Sequence, residues 1–304
     1  MRVISDELGD DVRLPDAGPA AVVSLVPSLT ESIEATVPGV LVGATDYCVH
    51  PSELITTRVG GSKYPKVDKV IALRPQLVVA NVEENRAEDV RQLRAAGIPV
   101  WVSAAPATVP AALTTLRGLC ADVFGVPAPD WLTGAEREWQ RVEPVRVTAI
   151  IPVWRKPWVV LGSNTFAGDV LRRIGVGNAY SNSDERYPRP ALTELRAVLA
   201  DGRANGLVLP DEPYLFTDND GPEAFPSVRY VLVSGRHLTW WGLPCAQQEP
   251  FWLMPARHLR NDFRPPPRLG AKEVDYATAE AQLPMYNPGG WLRPRSDPVV
   301  RALH

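Results

Sequence analysis

The sequence of 304 residues is short of cysteine, of basic charge and of long apolar segments, and each shortage excludes a class of protein. The three widely spaced cysteines, Cys48, Cys120 and Cys245, form neither a disulfide framework nor a CxxC metal motif, which indicates a reducing compartment. A formal net charge of −3 argues against a nucleic-acid-binding surface, because such surfaces are basic. No apolar run approaches the roughly 20 residues that a membrane helix needs.

Targeting signals are also missing from the N-terminal segment, Met1 to Asp10. It has no apolar stretch followed by a small-residue cleavage site, so no signal peptide is visible. No cysteine lies near it to carry a lipid anchor. Taken at face value, the sequence predicts a cytoplasmic protein.

Recognisable catalytic motifs are absent as well. The sequence contains no GxSxG, no HExxH and no Walker loop. The segment Gly175-Val-Gly177 lacks the third glycine of a dinucleotide-binding loop and follows a predicted helix, not a strand. The sequence therefore favours a binding protein over an enzyme.

What is present is an alternation of short apolar strands and amphipathic helices. A hairpin is predicted over residues 6–14, with its turn at Gly9-Asp10. Beyond it, strands are predicted at 22–26, 40–45, 77–80 and 99–103, and helices at 30–36, 68–73 and 87–96. Ser28 or Thr30 is expected to cap the start of the first helix, and Gly97 the end of the third. Such a βαβαβ series predicts a parallel sheet with helices on both faces.

The same pattern restarts later in the chain, after two helices predicted at 108–124 and 131–142. Strands are predicted at 147–153, 206–209 and 228–233, and helices at 165–175 and 192–199. We therefore predict an α/β protein with two lobes of parallel sheet and a ligand cleft between them. The predicted parts are an N-terminal lobe (1–105), a helical connector (106–144), a C-terminal lobe (145–244) and an irregular tail rich in proline and arginine (245–304).

Polar side chains follow the predicted strands of the first lobe, where ligands collect in open α/β sheets. Ser28 follows the first strand, and Tyr47, Cys48 and His50 follow the second. Tyr47 and His50 are candidates for ligand contact, and Cys48 and His50 are candidates for metal ligation, although a closed metal site needs about four ligands. The alternative is an ordinary loop with a hydrogen-bonded histidine.

Two adjacent carboxylates, Glu83 and Glu84, follow the third strand directly. In a cleft they would bind a cation or the amide groups of a ligand, or one of them would have a raised pKa. The alternative is a helix N-terminus, where acidic residues are favourable in any case.

In the second lobe, the segment Trp154-Arg-Lys-Pro-Trp158 is the best candidate for a pocket. Two indoles and the cation of Arg155, placed just past a strand end, suit a large, flat or conjugated ligand. The alternative is tryptophan packed beneath a loop.

Four segments carry a resemblance to a known family. They are Asp6-Glu-Leu-Gly-Asp-Asp-Val12, Val23-Ser-Leu-Val-Pro-Ser-Leu-Thr-Glu31, Val70-Ile-Ala-Leu-Arg-Pro-Gln-Leu-Val-Val-Ala80 and Thr165-Phe-Ala-Gly-Asp-Val-Leu171. Over residues 3–244 the chain resembles the periplasmic binding proteins with a single helical backbone, the group of vitamin B12 and iron-siderophore receptors. It looks most similar to the cobalamin-binding members.

The resemblance implies two Rossmann-like lobes, a rigid helical connector and an interlobe site for a corrinoid or another metal chelate. It also implies Tyr187 and Tyr214 as further aromatic contacts, and delivery of the ligand to an ABC-transporter permease. Surface carboxylates such as Glu31 and Glu88 would dock on arginines of that transporter, and the alternative is that they are solvated helix faces. The family is exported, and a start codon assigned too late would explain why no export signal is visible. The protein would then be extracytoplasmic.

The leading hypothesis is thus a non-enzymatic, monomeric binding protein with a small-molecule ligand, no nucleic-acid partner and no covalently bound cofactor. The ligand is a corrinoid or another metal chelate. The second hypothesis is a cytoplasmic enzyme or metal-handling protein that reuses the same fold, since fold does not fix function. In that case Cys48 and His50 would act on a bound metal or substrate.

Overall fold

The computed structural model describes residues 1–246, which form two compact units. The first unit consists of Met1–Ala105 and Leu113–Thr133. The second consists of Pro106–Ala112 and residues 134–246. The predicted tail lies, apart from its first two residues, outside the described residues. The role of residues 106–144 as a connector stays a prediction.

The first unit is built on a parallel sheet of five strands in the order β5-β4-β3-β6-β7. An antiparallel hairpin, β1-β2, precedes it. The strands are β1 Arg2–Ser5, β2 Asp11–Leu14, β3 Val22–Ser24, β4 Leu41–Ala44, β5 Thr57–Arg58, β6 Leu77–Asn81 and β7 Val100–Ser103. The helices are α1 Pro27–Thr36, α2 Val67–Ala72 and α3 Ala87–Ala95.

The interior strand β6 is buried along its whole length, as its apolar sequence predicts for a sheet covered on both faces. Val78 and Ala80 pack in one core cluster with Val23 and Val100 of the neighbouring strands and with Leu25, which follows β3. Burial of these apolar side chains stabilises the sheet and holds its strand ends at fixed positions. The loops that follow the strands are therefore anchored on a rigid base.

The ends of α1 and α3 follow from local sequence. Helix α1 begins at Pro27, whose ring fixes φ near the helical value and whose missing N–H is not needed in the first turn. The prediction that Ser28 or Thr30 caps this helix is wrong, because both residues lie inside it. Helix α3 ends where predicted, since Gly97 adopts a φ of 80°, which favours glycine.

Residues 106–144 contain helix α4 (Val109–Gly118), a π-helical turn (Leu119–Val123) and helix α5 (Asp130–Glu138). The sequence predicts one helix over 108–124, and the structure changes its hydrogen-bonding pattern at Leu119. No helix in the described part of the chain combines the length and apolarity required to span a bilayer.

The second unit repeats the plan with a parallel sheet in the order β11-β8-β12-β13 and a separate hairpin, β9-β10. Its strands are β8 Val147–Ile150, β9 Pro152–Trp154, β10 Val159–Val160, β11 Val176–Asn178, β12 Gly206–Pro210 and β13 Tyr230–Val233. Its helices after α5 are α6 Phe166–Arg173, α7 Leu192–Ala200, α8 Asp220–Ala224, α9 Gly235–Thr239 and α10 Leu243–Ala246.

The predicted α/β class and the two parallel sheets are confirmed. Two details of the strand prediction differ from the structure. The single strand expected over 147–153 is divided, because the chain leaves the sheet after Ile150 and residues 152–154 pair in the hairpin instead. The first hairpin uses Arg2–Ser5 as its first strand, so its turn is longer than Gly9-Asp10.

Candidate functional site

The first unit gathers five predicted residues at the carboxyl edge of its sheet, and we name them the strand-end group. Its members are Ser28, Tyr47, His50, Glu83 and Glu84. Ser28 follows β3, Tyr47 and His50 follow β4, and the two carboxylates follow β6. Because β4, β3 and β6 are adjacent parallel strands, the loops after them leave the same edge of the sheet.

Asn81, the last residue of β6, fixes the turn that carries the two carboxylates. Its side-chain oxygen accepts hydrogen bonds from the backbone N–H groups of Glu83 at 2.8 Å and Glu84 at 3.3 Å. Its amide nitrogen donates to Ser103 Oγ at 2.9 Å and to the Ala104 carbonyl at 2.8 Å. The turn is thereby held against the end of β7.

The electrostatics of this turn favour a neutral Glu84. Burial, together with the neighbouring Glu83 carboxylate, raises the pKa of Glu84 to about 8. Lys63 Nζ lies 3.5 Å from the Glu83 carbonyl oxygen, and burial lowers the pKa of this lysine. A protonated Glu84 both donates and accepts hydrogen bonds, as an amide or carboxyl group of a ligand requires.

Ser28 is buried, with 2 % of its surface exposed. Its Oγ has no hydrogen-bond partner among residues 1–246. A buried hydroxyl without a partner is uncommon, since it costs free energy relative to hydration. The strand-end group therefore includes a polar atom with unused hydrogen-bonding capacity.

Cys48 lies between Tyr47 and His50 but is fully buried. Its Sγ is 3.0 Å from Thr30 Oγ1 and 3.1 Å from Thr45 Oγ1, and burial raises the pKa of the thiol. A neutral thiol is a poor metal ligand and a poor nucleophile. Within residues 1–246 no group of three or more His, Cys, Asp or Glu side chains is arranged to hold a metal ion. Metal ligation by Cys48 and His50 stays a prediction that this geometry does not support.

In the second unit, the predicted residues Trp154, Trp158 and Tyr214 pack with two phenylalanines. We name Trp154, Trp158, Tyr214, Phe216 and Phe225 the aromatic cluster. The ring centroids of Trp154 and Tyr214 are 5.6 Å apart, and those of Tyr214 and Phe216 are 4.6 Å apart. The Trp158 ring stacks on Phe216 at 6.3 Å and meets Phe225 edge-on at 5.4 Å. These geometries are typical of a packed aromatic core.

Arg155 binds residues of its own unit. It forms ion pairs with Asp220 and, at 2.7 Å, with Glu223, and its guanidinium carbon lies 5.6 Å from the centre of the Trp158 ring. Its side chain is 10 % exposed and that of Asp220 is 8 % exposed. Burial alone would raise the pKa of Asp220, but hydrogen bonds from Thr217 and Arg155 outweigh it and lower that pKa. Arg155 is thus committed to internal partners.

Tyr187 is not part of the aromatic cluster. It is partly buried, and the guanidinium of its neighbour Arg186 lies 6.0 Å from the centre of its ring. The segment that carries it is held to β10, since Val160 and Gly162 donate backbone hydrogen bonds to Pro188 at 3.0 Å and Arg186 at 2.7 Å.

Two further residues have relevant chemistry. The sequence marks the segment 211–216, which contains Glu212, as a weaker pocket candidate, whereas Arg58 escaped the sequence analysis. Glu212 follows β12 as Glu83 follows β6, and burial together with Asp211 raises its pKa to about 7. Its position after an apolar strand was a usable signal. Arg58 ends the two-residue strand β5, which is too short to be recognised from the sequence. The expectation of Glu31 as a surface carboxylate is wrong, because it is 6 % exposed.

No family model and no curated protein matches the sequence. Solved structures do match. The periplasmic heme-binding protein RhuT of Roseiflexus sp. RS-1 has a TM-score of 0.63 at 20 % identity over 76 % of this chain and 95 % of its own. The vitamin B12 binding protein BtuF of Vibrio cholerae has a TM-score of 0.62 at 17 % identity over 80 % and 97 %. A periplasmic heme-binding protein of Pseudomonas aeruginosa has a TM-score of 0.61 at 21 % identity over 78 % and 94 %.

These likenesses confirm the resemblance at the level of fold: the chain has the fold of the helical-backbone metal-receptor binding proteins. The same comparison contradicts the expectation of a cytoplasmic protein, because these three proteins with the same fold are periplasmic.

Proposed function

We propose that this chain, with the fold of the helical-backbone metal receptors, is an extracytoplasmic, non-enzymatic binding protein for a metal chelate. One observation carries the proposal. The fold matches nearly the full length of heme and vitamin B12 binding proteins, 95 % and 97 % in two of them. Because fold alone does not fix function, the residues of this chain must also suit such a ligand.

The strand-end group supports a ligand with polar edges. It offers the Ser28 hydroxyl, the Tyr47 phenol, the His50 imidazole and the carboxyl groups after β6. Corrinoids carry amide groups around a flat metal-binding ring, and haem carries carboxyl groups. A neutral Glu84 hydrogen-bonds either kind of group. Within this segment, His50 and Tyr47 are the side chains whose chemistry best suits coordination of the chelated metal, and Cys48 is a structural residue.

In the second unit we propose Trp158, Tyr187 and Tyr214 as the aromatic contacts, since each is partly exposed. Trp154, at 5 % exposure, acts as the packing support beneath Tyr214. Arg155 orients the cluster through Asp220 and Glu223. These assignments reduce the direct role expected for Trp154 and Arg155 in binding.

Of the metal chelates we propose a corrinoid first and haem second. The Glu83 carboxylate beside the neutral Glu84 favours neutral amide side chains over the carboxylates of haem, because like charges repel. As a monomer, the protein would pass its ligand to an ABC-transporter permease.

The test is a titration of the full-length protein with cyanocobalamin, haemin and a ferric siderophore in parallel, followed by tryptophan fluorescence and by ligand absorbance. We expect saturable one-to-one binding of cyanocobalamin or haemin. Tyr47→Ala should weaken that binding about tenfold. Tyr230→Phe, which removes only the hydrogen bond of a second-unit tyrosine to the Asp218 carbonyl, should leave it unchanged. The absence of saturable binding to all three chelates would refute the proposal.

A further inference from the structure

The turn after β4 carries Tyr47 and His50, and it is held by backbone hydrogen bonds. Cys48 N donates to the Thr45 carbonyl at 3.1 Å, and Asp46 N donates to the Gly60 carbonyl at 2.8 Å. Tyr47 and His50 are partly buried on either side of the buried Cys48. The position of both side chains therefore depends on what fixes residues 45–48.

Arg58 holds this turn from one side. Its Nη1 donates to the Thr45 carbonyl oxygen at 2.9 Å and to the Cys48 carbonyl oxygen at 2.8 Å. Arg58 is paired with Ala44 in parallel register, so it stands at the same edge of the sheet as the strand-end group. One charged donor thus joins both ends of the turn, and charge-assisted bonds of this kind are stronger than neutral ones.

Among the described residues 1–246, Arg58 forms no ion pair with a carboxylate, unlike Arg155 of the second unit. Its hydrogen bonds go to two main-chain carbonyl groups of a loop that carries predicted ligand contacts. A lysine presents one compact ammonium group and lacks the planar guanidinium that spans two acceptors.

Cys48 holds the turn from the other side. Its Sγ lies within hydrogen-bonding distance of Thr30 on α1 and of Thr45, and Thr45 Oγ1 lies 3.2 Å from Ser62 Oγ. The turn is therefore fixed to the helix after β3 through Cys48 and to β5 through Arg58. Neither anchor residue belongs to the strand-end group.

We propose that Arg58 is a positioning residue for ligand binding: by joining the carbonyl groups of Thr45 and Cys48 it sets the places of Tyr47 and His50. The inference rests on the proposed function, since it concerns the same site. Arg58 acts through these two residues and need not touch the ligand. Substitution of Arg58 should reduce the affinity for the ligand. Without Arg58 the turn at residues 45–48 is less ordered, and ordering it on binding costs conformational entropy.

A double-mutant cycle tests this. The affinity for cyanocobalamin or haemin, whichever the wild type binds, is measured for Arg58→Met in the wild-type, Tyr47→Ala and His50→Ala backgrounds. We expect Arg58→Met to weaken binding about tenfold in the wild type and clearly less in at least one alanine background, because the residues are coupled. Equal losses in all three backgrounds, or no loss in the wild type, would overturn the proposal.

Arg13→Met is the matched control, since it removes the same charge from an exposed position on β2 of the same unit. It should leave the affinity unchanged, and a comparable loss there would assign the effect to net charge. If Arg58→Met does not fold, Arg58→Lys is used instead. It should weaken ligand binding less than Arg58→Met would, and again less in the alanine backgrounds than in the wild type. A wild type that binds no chelate contradicts the proposed function, whereas a binding wild type without coupling contradicts only the role of Arg58.

Discussion

The strand-end group of the first unit and the surroundings of the aromatic cluster in the second unit treat their polar residues in opposite ways. In the first, the strand-end group keeps a buried hydroxyl without a partner at Ser28 and a carboxyl group with a pKa near 8 at Glu84. In the second, Arg155 and Asp220 satisfy each other, and the aromatic cluster packs on itself. Unsatisfied groups cost stability and favour binding, whereas satisfied groups stabilise the fold. Similar sequence signals at strand ends thus lead to different structural roles.

The largest expected effect concerns the satisfied pair. Asp220→Asn should lower the free energy of unfolding by about 3 kcal/mol, because it leaves the buried Arg155 without its main counter-charge. Urea unfolding followed by far-UV circular dichroism measures it. Glu223→Gln is the control: this partner of the same arginine is 64 % exposed, so its loss should cost under about 1 kcal/mol. Equal effects of the two variants would show that the buried partner of Arg155 stabilises the fold no more than its exposed partner does.

The pH dependence of stability gives the next largest effect. Above the ordinary pKa of 4.5 the unfolded chain loses the Glu84 proton, whereas the folded protein keeps it to about pH 8. The free energy of unfolding should therefore fall as pH rises through this window, and reach its lowest level above it. Glu84→Gln should remove most of this decline and stabilise the protein at pH 8.5 by on the order of 2 kcal/mol.

Glu212 provides the counterpart in the second unit, with a pKa of about 7. Its window, from pH 4.5 to about 7, is narrower, so Glu212→Gln should remove a smaller decline that is complete at a lower pH. The exposed Glu88→Gln serves as the control and should leave the profile unchanged. If the free energy of unfolding depends on pH identically in the wild type and in Glu84→Gln, the Glu84 carboxyl group ionises normally.

A smaller effect is expected within the hydroxyl network around Cys48. Thr30→Val should lower the free energy of unfolding by about 1 kcal/mol, because Thr30 Oγ1 lies 2.8 Å from Ser24 Oγ and 3.0 Å from Cys48 Sγ. Thr239→Val in the second unit removes a single bond, to the Gly235 carbonyl, from a partly buried site and should cost less. A larger loss of unfolding free energy in Thr239→Val than in Thr30→Val would contradict this prediction.

The smallest expected effect has the opposite sign. Ser28→Ala should leave the free energy of unfolding unchanged or raise it by roughly 0.5 kcal/mol, since the hydroxyl is buried without a partner. In the same protein the affinity for the metal chelate should fall. Destabilisation by Ser28→Ala, measured by urea unfolding, would mean that this hydroxyl is already used within the fold.

Much of the fold was predictable because its signals are local. The apolar run over Leu77–Asn81 predicted a buried parallel strand, and Gly97 predicted the end of α3. The division of the strand predicted at 147–153 was not visible, because it depends on which residues pair with β12 and which with β10. Sequence periodicity reports burial but does not report the pairing partner.

The candidate site was predictable only in part. Strand ends marked Ser28, Tyr47, His50, Glu83 and Glu84, because polar residues after apolar strands are a local pattern. The same pattern marked Trp154 and Arg155, whose partners Tyr214 and Asp220 are distant in sequence. Arg58 gave no signal at all, since its role arises from two carbonyl groups of another loop.

By itself, then, the amino-acid sequence determined the α/β class, the alternation of strands and helices, and the placement of polar residues at strand ends, because hydrophobic periodicity and turn residues act over a few neighbours. Tertiary structure decided which of those polar residues are satisfied. Arg155 forms an ion pair with Asp220, and Cys48 accepts a hydrogen bond from Thr30. Ser28 Oγ has no hydrogen-bond partner among the described residues. Hydrogen bonds and ion pairs depend on atoms brought together across the sheet, and only the folded chain sets those distances.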